Sequence, residues 1–322
     1  MRVLVTGGAG FIGSNLVGSL LDNAQVSFVR VLDNFSTGHK NNISEFLSNP
    51  KFELLIGDIR NSEDCLKACG DIDVISHQAA LGSVPRSIKD PLTSHQVNVN
   101  GFINLLEAAR ENNIKKFVYA SSSSVYGDLS DSPKIESRIG KVLSPYAATK
   151  RVNEVYADAY SKIYGITLVG LRYFNVFGPK QNPNGPYAAV IPIFVQAAID
   201  GKSPMINGDG SITRDYTPVE NVVNVNIAAI KTQNLPISNE VFNIACGNTT
   251  SLQKLWELIC EDCGNYIQPT YGPIRSGDIL SSLADINKAK ELLSYTPETD
   301  LKKELNKTIQ WYRDNDSGKY FS

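Results

Sequence analysis

The stretch VTGGAGFIGSNL, residues 5–16, sets Gly7, Gly10 and Gly13 between an apolar run that reads as a strand and the opening of a helix. Glycines at such a turn let main chain approach a pyrophosphate. The free N–H groups and partial positive charge of the helix start then hold the anion. The spacing is GxxGxxG rather than the GxGxxG of many dinucleotide-binding folds. A glycine turn alone carries little information; the residues beyond it carry more. Asp33 ends the next apolar run, twenty residues past Gly13. A carboxylate there can accept from both ribose hydroxyls of an adenosine and would repel a 2′-phosphate, which favours NAD over NADP. His39 and Lys40, just beyond, are the residues that would suit the phosphorylated cofactor.

Outward from that turn the chain alternates. Candidate strands at 2–7, 28–34, 52–58, 74–78, 116–122 and 167–174 are separated by helix-like segments such as 12–22, 62–69, 95–112 and 146–164. Runs rich in valine and isoleucine, bounded by turn residues, read as buried parallel strands. Their alternation with helices predicts an α/β fold with a doubly wound parallel sheet. Past about residue 175 the texture changes. GPKQNPNGPYAAVIP and INGDGSITRDYTP read as long ordered loops around a ligand. The run 240–246 returns to a buried strand, and SLQKLWELICEDC and DINKAKELLSY read as amphipathic helices capped by Ser251 and Asp285.

The 322 residues suffice for one large domain or two that share a core. A net charge of −2 gives no basic field, which sets nucleic-acid binding aside. No apolar run reaches membrane-spanning length, and MRVLVTGG enters the first strand without a leader pattern, so a cytoplasmic protein is expected. Cys65, Cys69, Cys246, Cys260 and Cys263 are an odd set in a long chain and read as reduced thiols. Cys260 and Cys263 form a CxxC at a helix end, but the two further ligands a zinc site wants are missing at matching spacing. No metal is expected.

A second stretch raises a chemical question. SPYAATKRVNE, residues 144–154, places Tyr146 four positions before Lys150. With 14 tyrosines and 20 lysines, about one such spacing arises by chance, and this is the only one in the chain. Its setting carries the weight. Ser144 can cap a helix with Pro145 at its first position, which puts Tyr146 in the first turn and Lys150 on the same face. A free phenol titrates near pH ~10; a nearby ammonium and the positive end of a helix both favour phenolate, making Tyr146 a usable base. Upstream, YASSSSVYG sets four serines, 121–124, at the carboxyl edge of the predicted sheet, where ligands bind.

TGGAGFIG, the Asp after strand two, GDIR, HQAA, SSSSVYG, SPYAATK and RYFNVFGP occur in this order over nearly the whole chain. As a set they resemble the extended short-chain dehydrogenase/reductases, and among them the NAD-dependent nucleotide-sugar 4-epimerases. The resemblance implies that Tyr146 is the base and that Lys150 binds the nicotinamide ribose and lowers the phenol pKa. It implies a catalytic serine at Ser122, with Ser123 and Ser124 next in line. For the cofactor it implies Gly7, Gly10, Phe11, Ile12, Gly13, Asp33, Asn34, Ser36, Thr37 and Gly38. Asp58 and Ile59 would flank the adenine, with Gln78, Ala79, Ala80, Asn98 and Tyr173 under the rest of the cofactor. For the sugar nucleotide it implies Ser83, Asn175, Ala189, Val190, Asn207, Arg214, Arg275, Asp278 and Ser282. The corresponding division is a Rossmann NAD-binding domain of 1–174 plus about 222–250. The interleaved nucleotide-sugar domain is then 175–221 plus 251–322.

Related chemistries are distinguished by single positions. The 4,6-dehydratases carry an Asp-Glu beside the catalytic Ser/Thr and the decarboxylases a glutamate; this chain has Ser123 and Ser124 there. ALGSVPRS, LSPYAATK, NPNGPYAAVIP and RSGDILSSLADI look most like the subgroup acting on UDP-N-acetylhexosamines. In that subgroup a small residue after RxGD, here Ser282, leaves room for a 2-acetamido group. The expectation is therefore C4 epimerisation of UDP-GlcNAc/UDP-GalNAc, with UDP-Glc/UDP-Gal and UDP-uronic acids as alternatives. Of a different class, members can lose catalysis and persist as NAD-binding scaffolds; a degenerate Tyr or Lys would mark that, and both are present. The apolar helices 95–112 and 146–164 would pair with a second copy as a four-helix bundle, giving a homodimer.

Overall fold

A computed structural model describes residues 1–184, 187–232, 238–273, 281–315 and 317–321. Seven parallel strands form one sheet: β1 (Arg2–Thr6), β2 (Phe28–Asp33), β3 (Phe52–Ile56), β4 (Val74–His77), β5 (Lys116–Ser122), β6 (Thr167–Tyr173) and β7 (Asn239–Ile244). Their order is β7-β6-β5-β4-β1-β2-β3. The order reverses between β1 and β4, so the carboxyl ends of these two strands open the crevice in which such sheets bind ligands.

Helices cover both faces because the central strands are buried on both sides. On one face lie α2 (Ser62–Cys69), α5 (Gly101–Glu111) and α6 (Pro145–Tyr164). On the other lie α1 (Phe11–Leu21), α8 (Val219–Lys231) and α10 (Asn287–Leu293). Leu16, Val17, Val222, Val225 and Leu293 build the second layer, while Phe102, Leu105, Leu106 and Phe117 build the first. A third cluster around Trp256, Phe194 and Ile309 stands apart from the sheet. It is made by α7 (Val190–Ile199), α9 (Leu252–Cys263) and α11 (Leu301–Asp314). These three helices pack on one another as a small cap.

The predicted helix 95–112 is corrected in its first half. Asp90 and Pro91 start α4 (Pro91–His95), residues 96–100 form a π-helical turn, and α5 begins at Gly101. The start signal is local: Asp90 accepts from the Thr93 N–H, and Pro91 sits at the first helical position. Just before it, α3 (Val84–Lys89) is capped by Ser83 in the same way. Ser251 caps α9 as expected, but Asp285 lies one residue before the cap of α10, accepting from the Asn287 N–H.

The last described turn, α12 (Ser317–Tyr320), returns to the β2 side. Asn41 donates to the Tyr320 carbonyl, and the Phe321 ring meets His39 edge-on at 5.1 Å. Among the described residues no helix is long and apolar enough to cross a membrane.

Phe102 is fully buried and meets His77, Phe117 and Tyr119 at 5.2–5.7 Å between ring centroids. Truncating a packed aromatic removes its transfer energy and leaves a cavity. Phe102→Ala is expected to cost about 3–5 kcal/mol and Phe102→Leu much less, measured by denaturant unfolding.

Candidate active site

The glycine turn is close-packed in a way that excludes other residues. Gly7 has φ +69°, and a Cβ there would lie 2.7 Å from the main chain of Ala79. A Cβ on Gly13 would lie 2.1 Å from the Gly7 carbonyl oxygen. Gly10 caps α1 with no side chain, so the first N–H groups of that helix face an open cleft. The cleft holds about 420 Å³. Gly7, Gly10, Phe11, Ile12 and Gly13 line it, followed by Asp33, Asn34, Ser36, Thr37, Gly38, Asp58 and Ile59. Asp33 is buried, its two oxygens accepting from the Ala9 and Phe35 N–H groups at 2.9 and 2.8 Å. Burial pushes its pKa up, more than these two donors pull it down. Each oxygen keeps a free lone pair for a further donor such as a ribose hydroxyl. Asp58 pairs with Arg60 at 2.6 Å and accepts from Asn34, which holds its carboxyl down at about 2.

Gln78, Ala79, Ala80 and Tyr173 floor the middle of the cleft. Two residues to which no sequence motif points hold them. Asn226 of α8 donates to the Tyr173 hydroxyl at 2.8 Å and accepts from the Gln78 amide at 3.0 Å, and Ser76 joins the same cluster. Tyr173 in turn donates to Gln78 at 3.1 Å. Asn98 is placed differently from the expectation. Its amide is spent on the Leu81 main chain and on Thr149, so it lies behind the cleft wall and not on it. Leu81, Gly82, Val97 and Val176 also line the cleft, outside the set that the motifs indicate.

At the far end stand Ser122, Tyr146, Lys150 and Asn175. Ser144 caps α6 by accepting from the Ala147 N–H, with Pro145 at the first helical position, so the start signals read correctly. Lys150 is almost fully buried and donates to the Ala120 carbonyl at 2.7 Å. Burial lowers its pKa to about 8, against the raising effect of Glu154. Tyr146 corrects the expectation of a lowered phenol pKa. Burial raises it above 10, and the hydrogen bond with the Ser122 side chain only partly offsets this. The same bond singles out Ser122 from the serine run: Ser123 and Ser124 enter a 3-10 turn, and Ser122 caps it by accepting from the Ser124 N–H. Asn175 has φ +34°, strained for a residue with a side chain, and its amide donates to the Asp215 carbonyl.

The remaining sugar-side residues sit outside this cleft. Ser83 caps α3 by accepting from Arg86 N–H, and Ala189 and Val190 start α7. Asn207, Arg214 and Ser282 lie on short strands of the cap, where Ser282 pairs with Arg214. Asp215, buried next to Arg214, accepts from the N–H groups of Cys246, Gly247 and Ala284. Arg275 and Asp278 lie outside the described residues. All five cysteines are free, and among the described residues no group of three potential ligands could hold a metal.

Residues 3–245 match the model of the NAD dependent epimerase/dehydratase family. The chain belongs to this family. It is similar to a UDP-glucose 4-epimerase of Mycolicibacterium smegmatis, 38% identical over 97% of this chain and 99% of that protein. The fold matches a UDP-N-acetylglucosamine 4-epimerase from Methanobrevibacter ruminantium in complex with UDP-N-acetylmuramic acid. That match has a TM-score of 0.91 and 38% identity, and covers 97% of this chain and 98% of that one. It also matches a UDP-glucuronic acid 4-epimerase from Bacillus cereus in complex with UDP-glucuronic acid and NAD. Here the TM-score is 0.90 and the identity 32%, over 98% and 99% of the two chains. The family's cofactor suits the residues present. A helix N-terminus without a blocking side chain fits a diphosphate, and a buried carboxylate with spare lone pairs fits an unphosphorylated ribose.

The buried lysine predicts a pH signature. Its pKa is near 8 folded against 10.5 free, so the unfolded chain binds more protons between those values. Its stability deficit is therefore full below pH about 8 and gone above about 10.5. After allowing for the lost bond to Ala120, Lys150→Met is expected to stabilise the cofactor-free protein by about 2 kcal/mol at pH 7. The gain should vanish by pH 10.5 in urea melts at graded pH.

Proposed function

We propose that this family member interconverts UDP-N-acetylhexosamines at C4, the UDP-GlcNAc/UDP-GalNAc pair, with NAD retained through each turnover. One observation carries the reading: Ser122 and Tyr146 stand together at the wall of a dinucleotide cleft, where the serine pulls the phenol pKa down, with Lys150 one helical turn further on. Ser122 orients the sugar 4-oxygen, and Tyr146 removes the proton of the 4-hydroxyl and returns it after the ring has turned over. NAD, which the glycine turn and Asp33 would hold, would supply a hydride acceptor and donor at C4. Lys150 supplies the positive charge that the phenol needs in order to ionise. The residues beside Ser122 are Ser123 and Ser124, with no carboxylate to remove a C5 proton, which speaks against dehydration.

Asp33 would take the adenosine ribose, Asp58 and Ile59 the adenine, and Asn175 the substrate diphosphate. Residues 1–174 with about 222–250 would form the NAD domain, and 175–221 with 251–322 the sugar-nucleotide domain. Ser282, half-buried on its cap strand, leaves space for the acetamido group. UDP-uronates are a second reading, favoured by the Ser124 hydroxyl, which is buried without a partner beside Ser122.

The exposed apolar residues Leu92 on α4 and Val155 and Ile163 on α6 support pairing with a second copy through these helices. Leu92→Glu with Ile163→Glu should shift light scattering from dimer to monomer; an unchanged mass would rule the face out.

Proton NMR of purified protein with UDP-GlcNAc should show the C4 epimer accumulating. Tyr146→Phe should lower kcat by about 10²–10⁴-fold while NAD and UDP-sugar binding persist. Ser282→Tyr should suppress acetylated substrates selectively, and equal loss on UDP-Glc would remove Ser282 from the specificity argument.

A further inference from the structure

Behind Lys150 the helix carries a second charged side chain, Glu154, buried to 4% exposure. Arg172 of β6, also buried, meets it with two parallel bonds of 2.8 and 2.9 Å. The Ser121 hydroxyl of β5 donates to the same carboxylate at 2.7 Å, and Arg151 donates at 3.1 Å. Ser121 and Arg172 are partners in the β5–β6 ladder, so both strands grip one carboxylate. One turn earlier on α6, Lys150 grips the carbonyl of Ala120. The helix that carries Tyr146 is therefore stapled to residues 120 and 121, and the next residue of β5 is Ser122.

Arg172 extends the chain of bonds away from the cleft. Its guanidinium donates to the Tyr126 hydroxyl and the Glu136 carbonyl, and Tyr126 donates to Asn243 of β7. Asn243 donates to the carbonyls of Lys134 and Asp285. A buried ion pair is costly against an apolar pair of the same shape, so its stability value does not account for it.

We propose that Glu154, held by Arg172 and Ser121, is a positioning residue that sets the reach between Tyr146 and Ser122 and the charge of Lys150. This rests on the assignment of Tyr146 as base. The pair presents its negative end toward Lys150, opposing the burial that lowers the lysine's pKa. The other groups around Lys150 give it no counter-charge. His77 from β4 is held neutral by burial, Tyr119 from β5 and Tyr126 and Tyr173 nearby stay protonated, and Tyr146 is the reacting phenol. Glu107 and Arg110 of α5 pair with each other, and Glu240 of β7 pairs with Lys288. Asp90, between α3 and α4, makes no ion pair with Lys150 among the described residues, and Arg86, Lys89 and His95 of those helices carry no negative charge.

The test uses Glu154→Met with Arg172→Met, an apolar pair of similar volume that leaves no orphaned charge. This variant should keep its thermal midpoint and bound NAD. Its kcat should fall on the order of 10²-fold with KM for the UDP-sugar little changed. The alkaline limb of its kcat–pH profile should move to lower pH. The ¹⁵Nζ signal of Lys150, assigned by its loss in Lys150→Met, should titrate at lower pH in the same variant.

Unchanged kcat and limb would overturn the proposal, as would losses that track the thermal midpoint or the NAD content. Ser121→Ala keeps the ion pair and decides the matter if the double variant does not fold. A several-fold fall in kcat with full NAD content is expected, and wild-type kcat would sink the idea. Tyr146→Phe, run alongside, separates the two failures, because retained activity there removes the base assignment itself.

Discussion

Where β1 and β4 end side by side, Gly7 lies so near Ala79 that a single added carbon would meet its main chain at 2.7 Å. This close approach is possible only because Gly7 adopts a positive φ and Gly13 leaves room beneath the Gly7 carbonyl. The shape of the whole crevice depends on it. It brings the start of α1 to the sheet edge and aligns Gln78–Ala80 as a floor. It also sets Asp33 at the end of β2, one strand away, facing the same opening. A side chain at either glycine would part strand from helix, and the remaining residues would have nothing to converge on.

The second half of the site depends on burying charge. Lys150, Glu154, Arg172 and Asp33 are each under a tenth exposed, in a region that also buries the His77 and Tyr119 side chains. In such surroundings every proton position is set by the neighbours, because water cannot screen them. Along α6 a neutral phenol, an ammonium and a carboxylate follow at one-turn spacing, and a guanidinium from the adjacent strand pairs with the last. Lys150 is lowered by burial and Arg172 is raised by its partner in spite of burial, so one cation is poised to change state and the other is not.

What the sequence makes legible is local. Gly7, Gly10 and Gly13 at a strand end, Asp33 after the next strand, and Ser144–Pro145 ahead of Tyr146 are patterns within a few residues of one another, and each sits where its pattern implies. What it hides is non-local. Asn226 meets Gln78 across 148 residues of chain, and Asn243 meets Lys134 across 109. No spacing rule reaches that far. For the phenol pKa of Tyr146 the sequence points the wrong way, because the ammonium and the helix end are visible in it, while burial is a property of the folded whole. Asn98 follows the cleft-lining Val97 in the chain, yet its amide faces Leu81 and Thr149 instead. The π-helical turn at 96–100 escapes for a related reason, since it continues the apolar periodicity of α5 without a break.

The strand that carries Ser282 is fastened by its main chain on both sides. The carboxylate of Asp215 accepts from Ala284 N–H, and Lys134 exchanges backbone bonds with Leu283 and Asp285. None of these fastenings uses the side chain of residue 282. Its identity can drift in evolution, or be varied in a library, while the backbone around it stays fixed. A scaffold of this kind accepts change at that position without rebuilding its main chain.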